Sequence, residues 1–249
     1  MTANGFLDPN QLGGIKQRST TDAGIYLTHI IRAGWLRQCH TSVIAFDIAQ
    51  FFPSLNHEFL SICLKKVGLN TNVVGFFNSY HSNRSTTYTW NNFSLPAFNT
   101  NVGVGQGLAL SPILSAIYLA PVIKTFKKRI KNLKENIPTD ILSFVDNSLL
   151  ISQKKSYSLF SSFFLCSYNI MSKILVDTGL VMEHSKTKLF HFTRARHLPI
   201  PLLTYSRSGA LLSLPNPSGD TWVFTSIADS TSITILTSMP QNASSPSVP

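Results

Sequence analysis

Two short apolar runs, each tied to an acid, constrain this chain more than any other feature. Residues 42–47 read SVIAFD, and residues 141–152 read ILSFVDNSLLIS. Apolar runs of roughly four to eight residues suit strands buried in a sheet. An acid is costly inside such a strand unless it sits at an end or is neutralised. Charged residues make up only 13% of the chain, about half the usual share, so each acid carries more information than usual. Asp47 ends the first run, and Asp146-Asn147 interrupts the second. Taken singly, each has a plain local explanation. Asp47 can cap a strand, and Asp146-Asn147 can make the tight turn of a β-hairpin. The functional explanation brings the two acids together. Close carboxylates repel unless a divalent cation lies between them, and Mg²⁺ favours such oxygen ligands while leaving room for substrate phosphates.

Two further segments carry candidate chemistry. Gly103 to Pro112 (GVGQGLALSP) places glycines before a helix, where backbone can approach a ligand closely. It is not a P-loop, because no GK[ST] follows. Gly179 to Lys188 (GLVMEHSKTK) sets Lys186 between two short predicted strands. Such a lysine is ordinarily a solvated turn residue, but beside a reacting phosphate it can donate a proton or screen charge.

The rest of the pattern predicts a mixed α and β domain. Helical spacing runs from Asp22 to Leu36, with Ser19, Thr20, Thr21 and Asp22 all open as caps. Helices are predicted from Asn56 or His57 to Val67, from Thr71 to His81, from Ser111 to about Lys134, and over residues 157–178. Thr86 to Phe93 predicts a hairpin turning at Asn91-Asn92. Leu180–Glu183 and Lys188–Phe192 read as two strands.

Charge indicates the class of partner. Lys and Arg total 21 against 11 Asp and Glu, a net charge of +10, which favours a polyanion. Lys124, Lys127, Lys128, Arg129, Lys131 and Lys134 crowd one predicted helix, either as a solvated face or as a nucleic-acid track. Three cysteines without a CxxC pair exclude a disulfide framework and disfavour a zinc knuckle. No apolar run reaches about 18 residues, so no membrane span is expected. With no secretory signal at the N-terminus, an intracellular, reducing setting is expected. After Arg207 there is no Lys or Arg, and Ser, Thr and Pro dominate. The stretch 206–249 is therefore expected to be poorly ordered, with one strand around residues 222–227.

Strand–Asp, Gly-Gln-Gly–helix, apolar–Asp–apolar hairpin and Gly-Leu…Lys-Thr occur here in the order in which reverse transcriptases carry them. With Asn10 to Asp22 (NQLGGIKQRSTTD) upstream, the chain resembles the reverse transcriptase domain of non-LTR retrotransposons, of fungal type, over about 190 residues. That resemblance implies an α+β fold: a palm with partial fingers, whose antiparallel sheet carries the catalytic acids and packs on helices. It divides the chain into partial fingers at 1–40, palm at 41–205 with an inserted segment at about 57–100, and the tail at 206–249. It implies RNA-directed DNA polymerase activity, with two Mg²⁺ ions (or Mn²⁺), an RNA template, a DNA primer and dNTP, in the nucleus. Asp47 and Asp146 match the catalytic, metal-binding acids, and the Ile48 carbonyl matches a further metal ligand. Lys186 matches the proposed proton donor to pyrophosphate. Phe52 matches the ring that excludes a 2′-OH. Gln106 and Gly107 match the nucleotide and template motif, and Lys16 and Arg18 match fingers contacts to nucleotide or template.

The chain departs from the family at Asn147, where a second hairpin acid is the rule. Asn keeps the shape of Asp and loses its charge, so weaker metal binding and an impaired site are expected. The alternative is a catalytically dead retroelement remnant that binds nucleic acid. Asp140 and Glu183 lie nearby in sequence, with no geometric reason for either to substitute. Early fingers strands, a thumb and an endonuclease are expected to lie outside this chain.

Overall fold

The computed structural model describes residues 5–133, 137–155 and 160–192, with strands at 202–205, 211–214, 223–228 and 232–237. In chain order the elements are α1 (Thr20–Leu36), β1 (His40–Ile48), α2 (Phe51–Ser54), α3 (His57–Lys66) and α4 (Thr71–His81). Four two-residue strands follow: β2 (Ser85–Thr86), β3 (Thr89–Trp90), β4 (Phe93–Ser94) and β5 (Phe98–Asn99). Then come α5 (Ser111–Lys131), β6 (Thr139–Phe144), β7 (Asn147–Lys154), α6 (Phe160–Asp177) and β8 (Met182–Phe192). The last are β9 (Leu202–Tyr205), β10 (Leu211–Leu214), β11 (Val223–Ala228) and β12 (Ser232–Thr237).

The main sheet has the order β12-β11-β8-β1-β7-β6, with every pairing antiparallel. β1 lies inside it and alternates strictly between two cores. Ile44, Phe46 and Ile48 face the large core built with α5 and α6. Val43 faces a smaller core with Leu12, Leu142 and Ile151, onto which Ala23, Tyr26, Leu27 and Ile30 of α1 pack. That i, i+3, i+4, i+7 spacing is the apolar stripe of an amphipathic helix. Helices thus cover both faces. α5 and α6 lie below, as expected, and α1 covers part of the face on which Asp47 stands.

Local chemistry resolves several points the sequence leaves open. Ser19 caps α1 in a reciprocal box: its Oγ accepts from Asp22 N–H at 3.2 Å, and Asp22 Oδ2 accepts from Ser19 N–H at 2.7 Å. Asn56 caps α3, and Asn70 caps α4. α2 is an unpredicted helix, because FFPS is too short to show a period. The Thr86–Phe93 run is not one hairpin. β3 pairs with β4 about the expected Asn91-Asn92 turn, and β2 pairs with β5 outside it. The two strands predicted around Lys186 are one strand, β8, interrupted by a bulge.

Within the Ser/Thr-rich stretch, β11 pairs with β8 and β12 with β11. The alternating and β-branched residues of VFTSIA and SITILT account for their extended form. β10, also within the tail, pairs with β9, and the remainder of the tail lies outside the described residues. Among the described residues no helix is long and apolar enough to cross a membrane.

Candidate active site

Asp47 is the penultimate residue of β1. Its neighbour Phe46 points into the lower core and meets the Tyr168 ring edge-on, with centroids 6.4 Å apart. Alternation therefore turns Asp47 to the opposite face, where it lines a cleft of about 370 Å³ with Ala45, Phe144, Asn147, Lys186 and Lys188. Its side chain is only 16% exposed. Oδ2 accepts from Lys186 Nζ at 2.7 Å, while Oδ1 is buried with no hydrogen-bond partner among the described residues. A buried carboxylate oxygen without a donor is a costly arrangement. It fits an oxygen that takes a cation.

The β6–β7 hairpin brings Asp146 to the same end of β1. Asn147 lies directly across from Asp47, and the Asp146 carbonyl accepts Ile48 N–H at 3.2 Å. Asn147 Nδ2 donates to Asp146 Oδ1 at 3.0 Å. The turn is held by an unusual conformation, Val145 at φ 58°, which is strained for a β-branched residue. The upstream segment clamps it. Leu12 N–H donates to Ser143 O at 2.8 Å, and Ser143 N–H donates to Asn10 O at 3.0 Å. Gly13 crosses Val145 so closely that a Cβ there would meet Val145 N at 2.3 Å.

β8 brings Lys186. Ala45 pairs with Lys188, but Asp47 pairs with Glu183, so residues 184–187 bulge between them. His184 and Thr187 anchor the bulge below through Tyr168 Oη, at 2.9 and 3.3 Å. Lys186 is left to reach over Asp47. The hydrogen bond to Asp47 and that group's charge raise the Lys186 pKa, against desolvation, and Glu183 and Asp146 add to the rise. A Ser185 hydroxyl bond holds Glu183 below the usual carboxylate range. Register sets Glu183 opposite Asp47, a placement that sequence proximity alone did not show. Asp140 has no such placement: it is held by Asn10, Tyr26 and Lys127.

The other predicted site residues stand apart from this cleft. Phe52 is half-buried on α2. The loop with Gln106 and Gly107 is stitched to that helix by Val104 N–H to Phe52 O at 2.8 Å and Gly103 N–H to Leu55 O at 2.9 Å. Gly103, at φ 80°, packs on Pro53 with no space for a Cβ. Gln106 and Gly107 are exposed, as are Lys16 and Arg18. Arg18 borders a second cleft with Asp22, Tyr26 and His29. Of the basic residues on α5, Lys127 binds Asp8 at 2.8 Å and Asp140 at 3.1 Å. Lys124 binds Gly5 O, and Arg129 lies 3.8 Å from Asp177. Those three serve internal contacts; Lys134 lies outside the described residues.

A family model described as reverse transcriptase (RNA-dependent DNA polymerase) matches residues 1–236. The chain belongs to the reverse transcriptase family. A relative is the Pol polyprotein of the type-2 retrotransposable element R2DM of Drosophila melanogaster, 23% identical over 150 residues. That match covers 59% of this chain and 14% of the relative, so the chain spans a small part of that protein. The match agrees with the retrotransposon resemblance. Two structures of Candida tropicalis telomerase share the fold. The one in complex with the TWJ fragment of telomeric RNA has a TM-score of 0.56 at 16% identity, over 82% of this chain and 34% of that one. The apo form has 0.53 at 15%, over 83% and 37%. Reverse transcriptases use divalent metal ions, and the orphaned Asp47 oxygen fits that requirement.

Proposed function

We propose that this reverse transcriptase domain is an RNA-directed DNA polymerase that joins a dNTP to a primer 3′-OH on an RNA template, weakened by Asn147. The observation that carries this reading is the buried, donorless Oδ1 of Asp47 beside the Asp146 turn. Asp47 and Asp146, with the Ile48 carbonyl, would hold two Mg²⁺ (or Mn²⁺) ions. Such ions, when bound, activate the attacking hydroxyl and stabilise the leaving oxygen.

The chain's own residues have separable parts. The carboxylates beside Lys186 favour its protonated form, which can pass a proton to the departing pyrophosphate. Phe52 excludes a ribose 2′-OH by bulk. Gln106 and Gly107, on the loop fixed to the same short helix, border nucleotide and template. Lys16 and Arg18 bind nucleotide or template phosphate. Residues 1–40 act as partial fingers, and 41–205 as palm with the insertion at about 57–100. The nucleus is the proposed setting.

A second reading, a dead domain that binds nucleic acid, draws on Lys186 neutralising Asp47 at 2.7 Å while Asn147 adds no charge. Primer extension on primed RNA, with Mg²⁺ and with Mn²⁺, separates the two. The polymerase reading expects extension that Asp47→Asn abolishes and Asn147→Asp increases. No extension by the wild type or Asn147→Asp, with RNA binding retained, selects the second.

A further inference from the structure

Asn147 deprives the site of charge on the β7 side, and the sheet register shows what lies on the other. Asp47 has two opposed neighbours, Asn147 on β7 and Glu183 on β8. Opposed residues of antiparallel strands share a face, with Cβ atoms about 4.5–5.5 Å apart. Asn147, Asp47 and Glu183 therefore form a row across three strands. The residues beside them agree, since Phe46 and His184 both turn down to Tyr168. Lys186 arches back over this row from the bulge. The carboxylates whose charges act on its ammonium are Asp47, Glu183 and Asp146.

We propose that Glu183 is a carboxylate ligand of the divalent-cation site, supplying from β8 the charge that Asn147 does not supply from β7. This rests on the reading of Asp47 as a cation ligand. Among the described residues no three His, Cys, Asp or Glu side chains are yet gathered as a ligand cluster. Here the ammonium of Lys186 is what the acids share. A divalent cation carries twice that charge on a smaller centre, and the free Asp47 Oδ1 offers it a ligand beside that ammonium. The Glu183 side chain is one methylene longer than Asp, and among the described residues it is bonded by the hydroxyl and backbone of Ser185, two residues on. It can swing toward Asp47 without breaking a core contact.

Mn²⁺ binding to the 249-residue chain, read from the electron paramagnetic resonance of free Mn²⁺, tests this without substrate. Glu183→Gln is expected to weaken binding at least about tenfold, the low end of what losing a partner at a metal site costs. Glu183→Gln combined with Asn147→Asp is expected to restore it, and circular dichroism checks that each variant is folded. If Asp47→Asn loses binding while Glu183→Gln keeps wild-type affinity, Glu183 is not a ligand and the site reading stands. If Asp47→Asn binds as the wild type does, the cation site itself is wrong and Glu183 falls with it.

Discussion

Gly13→Ala tests whether the upstream segment holds the Asp146 hairpin in place. A Cβ on Gly13 would lie 2.3 Å from Val145 N, 2.6 Å from Val145 Cγ2 and 2.9 Å from Phe144 C. Two of these atoms are backbone, and Val145 is already held at φ 58°, so the hairpin cannot yield cheaply. Relief requires the two segments to part by about 1 Å, toward ordinary contact distance. That stretch breaks the Leu12 N–Ser143 O and Ser143 N–Asn10 O bonds, now 2.8 and 3.0 Å. Each is worth about 0.5–1.5 kcal/mol net. Leu12, now 3% exposed, loses part of a burial worth about 1.5–3 kcal/mol. The expected loss is about 2–4 kcal/mol. Urea unfolding followed by tryptophan fluorescence measures it. Gly24→Ala is the control: nothing lies within 4 Å of its Cβ position, and it should stabilise α1 by about 0.5–1 kcal/mol. A Gly13→Ala protein within about 0.5 kcal/mol of wild type refutes the clamp.

Acid should loosen the fold. Burial lowers the His81 pKa to about 4 and the His191 pKa to about 3, so both are neutral when folded, whereas unfolded histidine gains a proton near pH 6.5. Stability is therefore complete above about pH 6.5 and falls as pH drops toward the folded values, by up to about 2 kcal/mol per histidine at pH 5; equal melting temperatures at pH 7.5 and pH 5 contradict this. Lys186→Met should tighten Mn²⁺ binding, because the ammonium no longer competes for Asp47, while slowing primer extension; unchanged affinity would show that the ion pair does not guard the site. Phe52→Val should raise incorporation of rNTP relative to dNTP in extension assays, and an unchanged ratio removes Phe52 from sugar selection. RNA binding should weaken steeply between low and high salt, as expected for phosphate contacts by a chain of charge +10; salt-independent affinity would contradict an electrostatic interface.

The major elements were legible because each carries a period or a cap. The stripe Ala23, Tyr26, Leu27, Ile30 and the run SVIAFD leave little choice of helix or strand. Asp47 and Asp146 were legible because acids in apolar surroundings are rare in so weakly charged a chain. What local pattern could not show was register. Glu183 looked like a strand-end acid, yet a bulge at 184–187 sets it opposite Asp47. The same bulge turns an expected surface lysine into an ion-pair partner. Sequence leaves Lys127 open between a solvated face and a nucleic-acid track, but Asp8 and Asp140 both bind it. The contact with Asp8, 119 residues away, leaves no local periodicity to read. A glycine pair before Ile15 was visible, but its purpose, close passage over Val145 and Pro112, depends on tertiary packing.

The most direct test of the cation site is a crystal of the domain soaked in Mn²⁺ and measured for anomalous scattering. A peak is expected within about 2.2 Å of Asp47 Oδ1, shared with Asp146, with Lys186 withdrawn from Asp47. Lys186 still bonded to Asp47 at saturating Mn²⁺, with no peak at that carboxylate, would contradict the cation site.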